Sequence, residues 1–182
     1  NEVMDYTIGT IKALLEYGFE IHVIRKDTHN QTPYRTTIKD KHLHFYDLSQ
    51  HNFSSVKRII NHVSPNIVVV GGWREKRYLL FSAYCRFKKI PVIVGLDSQW
   101  HGTLKQNIAY GLGKLGIFRF FFDFVWVAGV LQFEYAKKIG FTKKDIIFDY
   151  LSANSFNFIL KDKNKTFTQI AKNKKILFVG RL

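Results

Sequence analysis

The sequence predicts an α/β protein built on a doubly wound parallel sheet of the Rossmann-like class. Short, almost continuous runs of Val and Ile recur along the chain, and segments with helical periodicity separate them. Gly and Pro residues stand at many of the boundaries. Strands that are apolar on both sides are typical of parallel sheets that helices cover on both faces.

Each element follows from its own pattern. Apolar residues at helical spacing predict a first helix that ends at Gly18, and the Val and Ile runs predict strands. The predicted strands are residues 20–24, 42–48, 66–70, 91–96, 124–128 and 145–148. The later predicted helices are residues 54–63, a segment around 80–87, 103–121 and 130–139.

Composition indicates a folded domain and excludes several classes of protein. Of the 182 residues, 46% are hydrophobic and 23% are charged, which is far from a disordered composition. The single cysteine, Cys85, excludes a disulfide framework and fits a reducing compartment such as the cytoplasm. Because Cys85 lies in an apolar helical pattern, we interpret it as a core residue and not as a nucleophile.

The charge balance is strongly basic. The chain has 28 Lys and Arg residues against 14 Asp and Glu residues, which gives a net charge of +14. This charge favours anionic partners: nucleic acid, an anionic bilayer surface or phosphorylated substrates. The basic residues are scattered and no known nucleic-acid-binding motif accompanies them, so nucleic acid is disfavoured.

One stretch, residues 115–133, has the length of a membrane span. Arg119 and Asp123 fall near its middle, where each charged residue would raise the free energy of membrane insertion by about 2.5–3.5 kcal/mol. We therefore expect the end of a helix, then Asp123 at a junction, then a buried strand. The first ten residues have no signal-peptide pattern and no initiator Met, so we expect the natural N terminus to lie upstream.

Candidate functional residues follow three predicted strands, because ligands of such sheets bind beyond the carboxyl ends of the strands. Gly71, Gly72 and Trp73 follow the first of these strands, and the glycines permit a tight turn and close approach to a ligand. The segment 97–102, DSQWHG, follows the second, and the segment 128–130, AGV, follows the third.

The segment DSQWHG has the richest chemistry. It contains a carboxylate, a hydroxyl, an amide, an indole and an imidazole, and we take Asp97, Ser98, Trp100 and His101 as candidate site residues. The alternative is that Asp97 or Ser98 caps the next helix while Trp100 packs on it. For the glycine pair the alternative is an ordinary turn.

Other patterns do not predict sites. His42 and His44 would share one face of a strand, but without a third nearby ligand we predict no metal site. The segment 111–116, GLGKLG, resembles a phosphate-binding loop, yet it lies inside a predicted helix and does not follow a strand. No Ser, His and Asp arrangement of a nucleophile can be read from the sequence.

Four segments, in order along nearly the whole chain, resemble one known family. They are PNIVVVGGW (65–73), IPVIVGLDSQWHGTLKQ (90–106), FVWVAGVLQFEYAKKIGF (124–141) and KKILFVGRL (174–182). Together they are similar to the amino-terminal half of retaining GT-B glycosyltransferases of the large family numbered four, especially bacterial members that build surface polysaccharides.

The resemblance implies a domain organisation. Residues 1–159 would form a Rossmann-like acceptor-binding domain that lacks its first strand, and residues 160–173 would form a linker. Residues 174–182 would be the first strand of a donor-binding domain. On this interpretation the chain is the amino-terminal half of a GT-B architecture, truncated at both ends and inactive alone.

The resemblance also implies a reaction. A sugar would pass from a nucleotide-sugar to a lipid-linked saccharide acceptor with retention, with no cofactor and no obligatory metal. Arg181 stands where the family places an Arg that neutralises the donor diphosphate. Asp97 stands where many members have a histidine near the reacting centre, so it would accept the acceptor's hydroxyl proton or orient that hydroxyl. The implied acceptor-binding residues are Gly71, Gly72, Trp73, Ser98, Trp100 and His101.

Lipid-diphosphate acceptors imply a peripheral location at the inner face of the cell membrane. Each basic residue near that anionic surface contributes about 1 kcal/mol to the free energy of membrane binding. Residues 116–122 would then lie in the membrane interface, or instead cover the sheet. Two other functions stay open. One is a non-catalytic basic module that binds nucleic acid or another polyanion, and the other is a sugar-nucleotide epimerase with GT-B architecture.

Overall fold

The computed structural model describes residues 5–25, 38–47 and 52–151, in which helices alternate with strands. The predicted linker, the strand at 174–182 and Arg181 lie outside these residues. The helices are α1 (Asp5–Glu16), α2 (Phe53–Val63), α3 (Lys76–Phe87), α4 (Leu104–Lys114), α5 (Ile117–Phe121) and α6 (Val130–Lys138). The strands are β1 (Ile21–Arg25), β2 (Leu43–Asp47), β3 (Val68–Val70), β4 (Val92–Leu96), β5 (Phe124–Val127) and β6 (Ile146–Ile147).

Every strand pair in the described residues is parallel, which confirms the predicted α/β class of Rossmann-like type. β3, β4, β5 and β6 form one sheet in that order, and β1 pairs with β2 in a second sheet. The sequence predicted a doubly wound parallel sheet, without a division into two. Within the described part of the chain β1 and β3 are not paired with each other, so the strands form two sheets.

The two faces of the four-stranded sheet are covered unequally. On one face, Val92, Val94 and Val125 are completely buried. On the opposite face the exposed fraction rises from 8% at Ile93 to 50% at Val69. The prediction of cover on both faces is therefore right for the central strand β4 and wrong for the edge strand β3 in the described structure.

The main core lies on the buried face. Side chains from α2, α3, α5 and α6 pack there in one cluster that includes Val56, Phe81, Phe118 and Ala136. Cys85 of α3 belongs to the same cluster and is fully buried, and burial raises the pKa of its thiol to about 11. This environment keeps the thiol protonated and confirms that Cys85 is a core residue.

The predicted helix over residues 103–121 is two helices. Gly116 adopts φ 77, a left-handed conformation that interrupts the helix, and α5 starts at the next residue. Phe118 and Phe122 then point into the core, so this aromatic stretch covers the sheet with part of its side chains. None of the helices in the described part of the chain has both the length and the apolar character needed to span a bilayer.

Two acidic residues, Asp123 and Asp145, stabilise the connections before β5 and β6. Asp123 lies at the junction between α5 and β5, as predicted, where it accepts a hydrogen bond of 2.9 Å from the Val92 amide and pairs with Arg86. The strand predicted at 145–148 begins with a 3₁₀ turn, Lys143–Asp145, and only Ile146–Ile147 pair with β5. Thr142 and Asp145 cap this turn reciprocally, which takes Asp145 out of the strand.

Candidate functional site

The predicted site residues lie at the carboxyl edge of the four-stranded sheet. Because β3, β4 and β5 are parallel neighbours, the loops that follow them leave the sheet at the same edge. Gly71, Gly72 and Trp73 follow β3, Asp97 directly follows β4, and Gly129 precedes α6 after β5. This edge is the candidate functional site.

The loop after β4 is fastened to the start of α4 by one side chain. The Gln106 amide donates a hydrogen bond of 2.7 Å to the carbonyl of Gln99. Its side-chain oxygen accepts hydrogen bonds from the amides of His101, at 2.7 Å, and Thr103, at 3.3 Å. These bonds connect the backbone of the loop to the start of α4 and so orient the side chains that the loop carries.

Thr103, and not Asp97 or Ser98, is the N-cap of α4. The alternative capping role for Asp97 and Ser98 is therefore wrong. Asp97 is exposed, and its carboxylate accepts a hydrogen bond of 3.1 Å from the Ser98 hydroxyl. Gln132 of α6 donates a hydrogen bond of 2.9 Å to the backbone carbonyl of Asp97. The carboxylate thus faces solvent on a backbone that two helices hold.

The glycines at this edge have conformational roles. Gly72 adopts φ 133 and Gly102 adopts φ 69, both in the region that favours glycine. A Cβ added to Gly72 would meet no atom within 4 Å. Open space beside this backbone leaves room for a ligand to approach the loop after β3.

The two tryptophans of the site meet on one tyrosine. The ring of Tyr135 lies 6.3 Å from that of Trp73 and 5.4 Å from that of Trp100. Trp100 also packs edge-on against Tyr110 of α4, at 6.4 Å, and the ammonium of Lys138 lies 5.2 Å from its ring. Both tryptophans are half-buried, so the alternative in which Trp100 packs on the following helix is confirmed for part of its ring.

No family model matches the chain, and searches of curated proteins and of solved structures return no significant match. The resemblance to glycosyltransferases therefore stays a prediction.

Three contributors to the site were missed by the sequence analysis: Gln106, Gln132 and Tyr135. Each lies on a helix, and whether its side chain reaches the site depends on which face of the helix is turned toward the loop after β4. The pattern T-L-K-Q at residues 103–106 carried a usable signal, because a Thr with Gln three residues later is a capping box. Burial raises the pKa of Tyr135, so its hydroxyl stays neutral near this edge.

Other groups lie away from this edge. A cavity of about 470 Å³ opens at the amino end of β4, lined in part by Arg86, Pro91 and Asp123. It is at the opposite end of the strand from Asp97, and its Arg and Asp already pair with each other. A cluster on the two-stranded sheet, formed by Glu20, His22 and His44, was not predicted from the sequence.

Proposed function

We propose that this chain binds the saccharide acceptor in a retaining GT-B glycosyltransferase, which transfers a sugar from a nucleotide-sugar to a lipid-linked saccharide. The observation that supports the proposal best is the braced loop after β4. It presents the exposed carboxylate of Asp97 three residues from the half-buried indole of Trp100. The family resemblance supplies the reaction class.

This pair of groups suits a saccharide. Sugar hydroxyls donate hydrogen bonds to a carboxylate, while the C–H face of a sugar ring packs on an aromatic ring. Asp97 and the Ser98 hydroxyl next to it, 3.1 Å away, would engage the hydroxyls. Trp100 and Trp73 would supply the apolar wall, and Gly71, Gly72 and His101 would line the same edge.

In the proposed reaction, the acceptor oxygen bonds to the anomeric carbon of the donor sugar as the bond from that carbon to the diphosphate breaks. The acceptor hydroxyl loses its proton to Asp97 or, where Asp97 only orients the hydroxyl, to the departing diphosphate oxygen. Arg181, outside the described residues, would neutralise charge on the leaving diphosphate. Residues 174–182 would begin the donor-binding domain, and the reaction as proposed uses no obligatory metal.

Acceptor binding is the first prediction. The 182-residue chain should bind some members of a panel of lipid-diphosphate-linked saccharides, measured by calorimetry in detergent micelles. Asp97→Asn should weaken this binding about tenfold, because a hydrogen bond to a charged group contributes about 1.5–3 kcal/mol. Trp100→Ala should weaken it by a similar factor through the lost aromatic contact.

Matched variants keep this test specific. Asp40→Asn and Phe87→Ala remove an exposed carboxylate and an exposed ring elsewhere in the chain and should leave binding unchanged. The complete gene product, given a panel of nucleotide-sugars, should release nucleotide only when acceptor is present. Isomerisation of the nucleotide-sugar without transfer would identify an epimerase instead. Steeply salt-dependent binding to duplex DNA without saccharide selectivity would replace the proposal with the polyanion-binding module.

A peripheral membrane location is proposed from α4. Four exposed apolar residues at helical spacing form a stripe along α4 and its C-cap: Leu104, Ile108, Leu112 and Leu115. Lys105 and Lys114 are exposed on the same helix. An exposed apolar stripe with basic neighbours is typical of a surface that lies in a membrane interface.

The second prediction tests this location with anionic vesicles. The double variant Leu104→Ser, Leu115→Ser should lower partitioning of the chain into phosphatidylserine-containing vesicles at least about tenfold. Full burial of one leucine side chain contributes about 1.5–3 kcal/mol of free energy, and both substitutions lose that contribution in part. Sedimentation at several salt concentrations measures this. Tyr17→Ser removes an equally exposed apolar side chain from a different helix end and should have no effect. Equal loss in both variants would contradict a role for the stripe.

A further inference from the structure

Three potential metal ligands meet on one face of the two-stranded sheet. His22 of β1 and His44 of β2 are direct partners in the parallel register, so their side chains lie side by side on the same face. Glu20 precedes His22 by two residues and shares that face. The two imidazole rings stack with their centroids 4.6 Å apart.

The ligand atoms converge on a single oxygen. Oε1 of Glu20 lies 3.1 Å from Nε2 of His22 and 3.2 Å from Nε2 of His44. One ligand atom from each of the three residues lies within 4.8 Å of the others. Two ligands bound to Zn²⁺ at about 2.0–2.1 Å in tetrahedral geometry are about 3.3 Å apart, so the two distances from Glu20 are close to those between bound ligands.

Tyr46 holds one imidazole in a useful orientation. Its hydroxyl lies 3.1 Å from Nδ1 of His22, on the opposite side of the ring from Glu20. When a metal ion takes the place of the proton on Nε2 of His22, Nδ1–H can donate to this hydroxyl and the Nε2 lone pair points at the cluster. A hydrogen bond donated by the distal ring N–H is the usual support of a metal-binding histidine.

The cluster is open to solvent on one side. The exposed fraction is 59% for the Glu20 side chain and 41% for that of His44, whereas His22 is mostly covered. An ion can therefore enter without a change of fold, and water can fill the remaining position. Three protein ligands of the imidazole and carboxylate type with one open position suit Zn²⁺.

We propose that Glu20, His22 and His44 form a binding site for a divalent transition-metal ion, Zn²⁺ first, with Tyr46 as a positioning residue. The site lies at the amino ends of β1 and β2, on a different sheet from Asp97, and does not depend on the proposed transfer reaction. In the metal-free protein the same atoms form a hydrogen-bonded cluster around Glu20.

The third prediction is the zinc affinity of this site. After treatment with a chelator, the 182-residue chain is titrated with ZnCl₂ in competition with a chromophoric chelator. Wild type should bind one Zn²⁺ at this site, and His22→Asn or His44→Asn should weaken binding at least about 100-fold, more than the loss of a supporting group. Glu20→Gln should also weaken it, and Tyr46→Phe should do so about tenfold.

His62→Asn, on an exposed turn of α2, is the matched control and should leave the affinity unchanged. Circular dichroism separates lost binding from lost folding in each variant. If a variant does not fold, imidazole nitrogen NMR of the wild type still decides, because Zn²⁺ should shift the signals of His22 and His44. Unshifted signals, or equal affinity in wild type and a folded His22→Asn, would mean a hydrogen-bonded cluster only and overturn the proposal.

Discussion

Gly113→Ala is expected to lower the free energy of unfolding by about 2 kcal/mol, although alanine is the better helix former. A Cβ at this position of α4 would lie 2.5 Å from the backbone of Ile139, which follows α6. Alanine gains about 1 kcal/mol of helix propensity over glycine. Overpacking costs about 1–3 kcal/mol and more where backbone atoms must move, so the clash outweighs the propensity.

The clash involves backbone on both sides. Gly140, next to Ile139, adopts φ 98, and a Cβ there would lie 2.7 Å from the carbonyl oxygen of Gly113. The two glycines therefore let α4 and the end of α6 approach at backbone distance. No rotation of a side chain can relieve the contact, so either the two helices separate or the helix end unwinds.

Gly111→Ala provides the matched control for this prediction. It is the same change in the same helix, but an added Cβ would meet no atom within 4 Å. We expect Gly111→Ala to raise the free energy of unfolding by about 0.5–1 kcal/mol, through helix propensity alone. Urea denaturation of both variants measures the sign of the change in the free energy of unfolding for each. Stabilisation by both substitutions would show that the helices do not approach closely at Gly113.

Much of the fold could be predicted because hydrophobic periodicity reports burial directly. The runs at β3, β4 and β5 placed strands within one or two residues of their observed positions. The break at Gly116 escaped prediction because apolar residues continue on both sides of it, so only the backbone conformation reveals the turn. The contact between Gly113 and Ile139 is a tertiary contact, which periodicity does not report.

Some residues of the candidate site could likewise be predicted from the sequence, and others depend on tertiary packing. Asp97 and Trp73 could be predicted because parallel strands bring their carboxyl ends to one edge whatever the details of packing. Tyr135, which joins the two tryptophans, depends on the rotation of α6 about its axis. The cluster of Glu20, His22 and His44 depends on the register of β1 against β2, which local sequence does not specify.

Asp145→Asn is expected to lower the free energy of unfolding by about 2 kcal/mol near neutral pH, because hydrogen bonds to charged groups contribute about 1.5–3 kcal/mol. Asp145 is only 5% exposed, and its carboxylate pairs with Arg119. It also accepts hydrogen bonds from the Thr142 hydroxyl and from the Thr142 amide, the latter at 3.1 Å. The substitution removes the charge while it keeps the size of the side chain.

The effect of this substitution should depend on pH. Burial by itself would raise the pKa of Asp145, but the hydrogen bonds from Thr142 and the guanidinium of Arg119 outweigh it and lower the pKa below its usual value. The stabilisation is complete above the unfolded-state pKa of about 4 and is lost as the pH falls through the lower folded-state pKa. Urea denaturation from pH 6 to pH 2.5 should therefore show wild type and Asp145→Asn converging in acid.

Glu134→Gln separates this effect from the general loss of stability in acid. Glu134 pairs with Lys137 at 3.3 Å on the exposed side of α6. Exposed ion pairs contribute about 0–1 kcal/mol, so this variant should stay close to wild type at every pH. A constant difference between wild type and Asp145→Asn across the whole range would show that the charge of Asp145 contributes nothing. The destabilisation would then come from the changed hydrogen bonding of the turn at residues 142–145 alone.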